Sequence, residues 1–128
     1  MTGMRTPHPT LTPQELAIMK VVWALKSATV REVFDVLHAK RRIALTTVMT
    51  MMKILEQKGY LVKASGERAA VYRPAKPRQQ VIGALVRDFV DRVFDGAAGT
   101  LMLQLVSERG VSKDDRAKIR RIIEEMDE

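Results

Sequence analysis

The chain has no cysteine, which excludes disulfides, thiolate metal sites and thiol redox switching. Histidine is scarce, with His8 and His38 alone, and no second His, Cys or carboxylate has ligand spacing to His38. No metal and no cofactor is therefore expected. No apolar run approaches the roughly 18 residues of a membrane span. The opening stretch MTGMRTPHPT lacks the apolar core of a signal peptide, so a cytoplasmic location is expected. Catalytic signatures are missing as well. There is no Cys nucleophile, Gly-rich phosphate loop, HExxH or GxSxG, and the carboxylates are scattered over helix starts and exposed faces. An enzyme is not expected.

What is present is 128 residues, 46% hydrophobic and 29% charged, with a net charge of +7. That suits one compact domain, or one domain with a dependent extension. The charge is segregated. Residues 1–80 hold 14 Lys/Arg against 5 Asp/Glu, and residues 81–128 hold 8 against 10. A basic half points to a polyanionic partner more strongly than a basic surface spread evenly.

Local signals order the N-terminal half. After an arm with Pro7 and Pro9, expected to be flexible, Thr12-Pro13-Gln14-Glu15 combines an N-cap, a proline at the first helical position and a capping box. Leu16, Met19 and Val22/Trp23 follow at helical spacing, predicting a helix over about 13–25. Trp23, the single tryptophan, suits helix packing better than base stacking. Thr29 and Glu32 form a second capping box, and Val30, Val33, Phe34 and Leu37 make the stripe of a helix over about 30–40. Lys40-Arg41-Arg42 closes it. Cations are favourable at a helix C-terminus, and Arg42 also sits where a phosphate contact would fall.

The stretch LTTVMTMMKILEQKG, 45–59, reads as a helix with two faces. Val48, Met51, Met52 and Leu55 form an apolar stripe, while Thr46, Thr47, Thr50 and Lys53 lie largely away from it. Gly59 is placed to end the helix in a left-handed turn. Two strand candidates follow, 60–64 and 70–73, with a turn at Ser65-Gly66-Glu67-Arg68. Three helices and a hairpin make the order of a winged helix-turn-helix.

The segment Pro74-Ala75-Lys76-Pro77 is a stiff joint. Beyond it, Ile82, Leu85, Phe89 and Val93 lie on a helix over 81–94 whose stripe is too broad for one small domain. Leu101 and Leu105 belong to a helix over 100–109. Ile119, Ile122 and Ile123 belong to a helix over 113–125 that Ser112 caps. Such short apolar helices suit pairing with a second copy, a homodimer, better than folding back. The expected fold is thus mainly α with a small β-hairpin wing. It divides into an arm over 1–10, a winged-helix DNA-binding domain over 11–75 and a helical dimerisation region over 76–128.

Helix order, the polar face and the charge asymmetry together point to double-stranded DNA. The helix over about 45–58 would enter the major groove. Thr47 and Thr50 would offer hydroxyls and methyls there, Met49 apolar contact, and Lys53 a donor to a base or phosphate. Arg42, Thr46, Lys63 and Arg68 complete the candidate DNA-binding set, the wing cations lying along the backbone. A different reading is a winged-helix protein-interaction module whose basic face serves an acidic protein.

The segments LTPQELAIMKVVW, TVREV, TTVMTMMKILEQKGYL and ERAAVYRP, followed by DFVDRVFDG, resemble the BlaI/MecI/CopY family of penicillinase repressors. The resemblance runs from Leu11 to Glu125. It implies a sequence-specific transcriptional repressor, a homodimer on a dyad operator with TACA/TGTA-like half-sites, released by an inducing signal. It also implies a membrane-bound sensor protease as a further partner. Three departures stand out. The C-terminal cysteine metal motif of the copper-responsive branch is missing. Gln104-Leu105 stands at the place of the Asn-Phe cleavage bond of the β-lactam branch. Ile54, beside Lys53, stands where many members carry Arg.

Overall fold

A computed structural model of the chain describes residues 10–64 and 69–126. The expected arm up to residue 9, with His8, and the hairpin tip with Arg68 lie outside the described residues. The chain divides into two compact units at the Val81–Ile82 bond.

The first unit holds α1 (Pro13–Leu25), β1 (Ala28–Thr29), α2 (Val30–His38), α3 (Leu45–Gln57), β2 (Leu61–Ala64) and β3 (Val71–Pro74). α1 starts where its capping box predicts. The Glu15 N–H donates to the Thr12 hydroxyl at 3.1 Å, and the Thr12 N–H donates to the Glu15 carboxylate at 2.9 Å. Thr29 and Glu32 repeat this at α2, at 3.1 and 2.8 Å. α2 stops at His38, short of the expected residue 40. The Leu37 carbonyl accepts from both Lys40 N–H and Arg41 N–H at 3.0 Å, which closes the chain into a turn. α3 ends at Gly59, whose φ is +89°. The Gly59 N–H donates to the Glu56 carbonyl and the Tyr60 N–H to the Leu55 carbonyl, at 3.1 and 2.9 Å. That bond pair closes over a left-handed residue, which glycine adopts without a Cβ clash.

The sheet has three antiparallel strands in the order β1-β3-β2, not the two of a bare hairpin. Ala28 pairs with Tyr72 and Thr29 with Val71. Two residues are too few to show an alternating pattern, so β1 was invisible to periodicity. The core draws on every helix of the unit. Ile18, Met19 and Val22 of α1, Val33 of α2, and Val48, Met52 and Leu55 of α3 are wholly buried, and Leu61 and Tyr72 close it from the sheet. Ile18 takes the place that spacing assigned to Leu16, which is half-buried. Trp23 packs rather than stacks. Its indole N–H donates to the Lys76 carbonyl at 3.1 Å, while the Lys76 ammonium lies 5.5 Å from the centre of the Tyr60 ring.

α4 (Arg78–Val93) begins in the first unit and runs on into the second, where α5 (Ala98–Arg109) and α6 (Lys113–Met126) follow. α4 opens three residues earlier than its apolar pattern, because the Pro77 carbonyl already accepts from the Val81 N–H at 3.2 Å. Ser112 caps α6 as expected, accepting from the Asp115 N–H at 3.1 Å. In α4, Ile82 and Leu85 are half-buried, Val90 is buried, and Phe89 and Val93 are exposed. Neither α5 nor α6 has a buried residue. Leu101 and Ile119 are half-buried there, and Leu105, Ile122 and Ile123 are exposed.

Candidate nucleic-acid interface

α3 is fixed by its inner face. Val48, Met52 and Leu55, spaced 4 and 3 apart, put their side chains into the core of the first unit. Ile43 is buried and pins the turn that enters the helix. What remains outward is a stripe at helical spacing: Thr46, Met49, Thr50, Lys53 and Gln57 are all exposed. Thr47 is half-buried beside Val48, so it belongs to the edge of this stripe and not to its centre. Met51, one turn further on, is likewise half-buried on the same edge. The stripe offers hydroxyls, methyls, a thioether and one ammonium, all on a helix of groove-filling width.

Exposed cations occur in the elements on either side of α3 in the chain. Lys40, Arg41 and Arg42 are exposed in the turn before α3. Ala44 gives α3 no side-chain cap, and its first turn carries no acid. The free N–H groups and the positive end of the helix dipole therefore face the same side as these cations. In the hairpin, register separates the two described cations. Val62 opposes Arg73, and Lys63 opposes Tyr72. Opposed residues share a face, so Arg73 stands on the outward face with exposed Val62. Lys63 lies on the Tyr72 face and is exposed. Among the described residues no carboxylate pairs with Lys40, Arg41, Arg42, Lys53, Lys63 or Arg73.

One charged pair escaped the sequence. Lys58, the C-cap residue of α3, places its Nζ 2.8 and 3.0 Å from the two carboxylate oxygens of Glu15. Glu15 is only 4% exposed. Burial pushes its carboxyl pKa up, but the bonds from Lys58 and Thr12 outweigh that, and the net position is below the ordinary value. Burial holds the Tyr60 and Tyr72 phenols above theirs, with Glu56 adding to the effect on Tyr72. The capping box was a legible role for Glu15. Its second partner, 43 positions away, had no local signal.

Gln104 and Leu105 stand in the middle of α5, and the Gln104 side-chain amide donates to the Glu108 carboxylate. A peptide bond held in a helix does not present the extended backbone a protease cleft takes. Among the described residues no group of three or more His, Cys, Asp and Glu is placed to hold a metal ion. No helix among them is long and apolar enough to cross a membrane.

A family model described as penicillinase repressor matches residues 11–125. A transcriptional regulator BlaI of Mycobacterium tuberculosis is 31% identical over 114 residues, covering 88% of this chain and 82% of that protein. A penicillinase repressor of Bacillus licheniformis is 26% identical over 117 residues, with 91% of each chain covered. Among solved structures, the DNA binding domain of the repressor BlaI is 30% identical, with a TM-score of 0.51. It covers 58% of this chain and 90% of that one.

Proposed function

The chain belongs to the penicillinase repressor family, and on that premise we propose that it is a DNA-binding transcriptional repressor that acts by occupying its operator, not by catalysis. The observation that carries the reading is the exposed stripe of α3. A helix locked to the core by Val48, Met52 and Leu55 turns Thr46, Met49, Thr50 and Lys53 outward, with Lys40, Arg41, Arg42, Lys63 and Arg73 in the flanking turn and hairpin, none paired with a carboxylate among the described residues. The major groove of B-DNA is wide enough for such a helix. Lys53 supplies a donor for a base acceptor or phosphate, and the threonine methyls and Met49 suit thymine methyls. Arg42 and the α3 N-terminus suit phosphates on one flank, and Lys63 and Arg73 suit them at the wing.

In this reading the protein works as a homodimer in the cytoplasm. The apolar faces of α4, α5 and α6, including Phe89, Leu105 and Ile122, would meet their copies about a twofold axis. Two α3 helices would then address two half-sites of a dyad operator. If a membrane-bound sensor protease releases repression at Gln104-Leu105, α5 must first unwind there.

The test is binding to a duplex carrying a TACA/TGTA dyad and to a random duplex, across salt concentrations. A specific complex whose affinity falls steeply with salt is expected, because each neutralised phosphate releases counterions. Thr50→Ala with Lys53→Ala should weaken dyad binding roughly tenfold or more, from about 1–3 kcal/mol per lost base contact. Unchanged affinity in that double variant would remove α3 from the groove. Absent DNA binding, with a stable complex on an acidic protein, would favour the interaction-module reading instead.

A further inference from the structure

Lys58, at the C-cap of α3, is a lysine that a count of cations would assign to DNA, and the structure pairs it elsewhere. Its ammonium meets three acceptors: the two Glu15 oxygens and the Thr10 carbonyl oxygen, the last at 3.0 Å. Three acceptors use all three of its protons, leaving none for a phosphate. Glu15 is the buried charged side chain of the described residues, and its carboxylate also accepts from the Thr12 N–H. The pair therefore ties the C-terminal end of α3 to the first turn of α1, 43 positions back in the chain.

The rest of α3 is held differently. Val48, Met52 and Leu55 are held by apolar burial, a driving force that is itself non-directional. A two-oxygen ion pair at one end is directional. We propose that Glu15 and Lys58 are positioning residues for the reading face. They set the roll of α3, and so the direction in which Thr46, Thr50 and Lys53 point, without touching DNA. The inference rests on the repressor reading above.

Geometry says what the loss would do. Side chains reach about 5–6 Å from a helix axis, so a roll of roughly 20° moves their tips by about 2 Å. Base-edge hydrogen bonds close only over about 2.7–3.2 Å and would be broken. Long lysines and arginines on the backbone phosphates follow such a shift. Preference for the operator should fall while general affinity for DNA stays.

The experiment uses the full chain as wild type, Lys58→Met, Lys58→Arg and the double variant Glu15→Gln with Lys58→Met. Kd is measured on the TACA/TGTA dyad duplex and on a random duplex over a range of salt. The double variant leaves no unpaired buried charge and keeps an amide oxygen for the Thr12 N–H, so it is the variant best placed to fold. It should lose about tenfold or more of the wild-type preference for the dyad, a change near 1.4 kcal/mol. Its affinity for random duplex and its salt slope should stay as in wild type. Lys58→Arg, which keeps the charge and the donors, should retain the preference. If Lys58→Met lowers binding to both duplexes equally and reduces the salt slope by about one, Lys58 is a phosphate contact and the proposal is overturned. A folded double variant with full preference sinks the proposal alone. A wild type without any preference for the dyad sinks the repressor reading and the proposal together.

Discussion

The two units solve the burial problem to very different degrees. In the first, three helices and a small sheet close around Ile18, Met52, Leu55 and Tyr72. In the second, α5 and α6 have no fully buried residue, and Leu103, Ile122 and Met126 are 71, 57 and 77% exposed. The first unit covers its apolar side chains with its own elements, while the second leaves large apolar side chains of α5 and α6 exposed.

The largest expected effect tests that contrast. Leu55→Ala should destabilise the first unit by about 2–5 kcal/mol, because it opens a cavity between α3 and its neighbours. Leu103→Asp should leave that unit untouched and shift sedimentation towards monomer. Trp23 makes the two separable, since the single tryptophan lies in α1. Its fluorescence should show a lower melting temperature for Leu55→Ala and an unaltered one for Leu103→Asp. If Leu103→Asp lowers the Trp23 transition as much as Leu55→Ala does, the units are not independent and the comparison breaks.

A smaller effect sharpens it through pH. Glu15 has a folded-state pKa below its unfolded value, so the ion pair contributes its full stability above the ordinary glutamate range, about pH 4–5. The contribution is lost as pH falls through the lower folded value. The gap in Trp23 melting temperature between wild type and Glu15→Gln should therefore hold constant from pH 7 to about 5 and close on further acidification. A gap that persists at pH 3 would mean that Glu15 stabilises by packing and capping, not by its charge.

Much of this organisation was legible because it is written locally. Thr12 with Glu15, Thr29 with Glu32, and Gly59 each specify a helix end within a few residues, and the structure has those ends. Val48, Met51, Met52 and Leu55 declared the inner face of α3 by spacing, and all but half-buried Met51 are buried there. Features that depend on distant partners were not legible. β1 exists only because β3 lies beside Ala28 and Thr29. Glu15 finds Lys58 across the fold, and the burial of Ile18 in place of Leu16 is set by what α1 packs against. The half-burial of Thr47 and the opposite faces of Lys63 and Arg73 follow from helix roll and strand register. Those relations give the candidate site its aim, so its composition was readable earlier than its direction.

The smallest effect expected separates the two units by backbone. Lys26 ends α1 at φ +74°, with its N–H bonded to the Val22 carbonyl at 2.7 Å, and Asp95 follows α4 at φ +52°. A left-handed residue with a Cβ costs roughly 1–2 kcal/mol, which glycine avoids. Glycine returns part of that gain through the greater freedom of the unfolded chain, roughly 0.4–1 kcal/mol. Lys26→Gly should therefore stabilise the first unit by about 0.5–1 kcal/mol, seen as a higher urea midpoint at an unchanged slope. Asp95→Gly should gain less, because a short polar side chain tolerates this conformation. An equal or larger gain at Asp95 would place the greater backbone strain in the second unit, where an incomplete core would have to hold it.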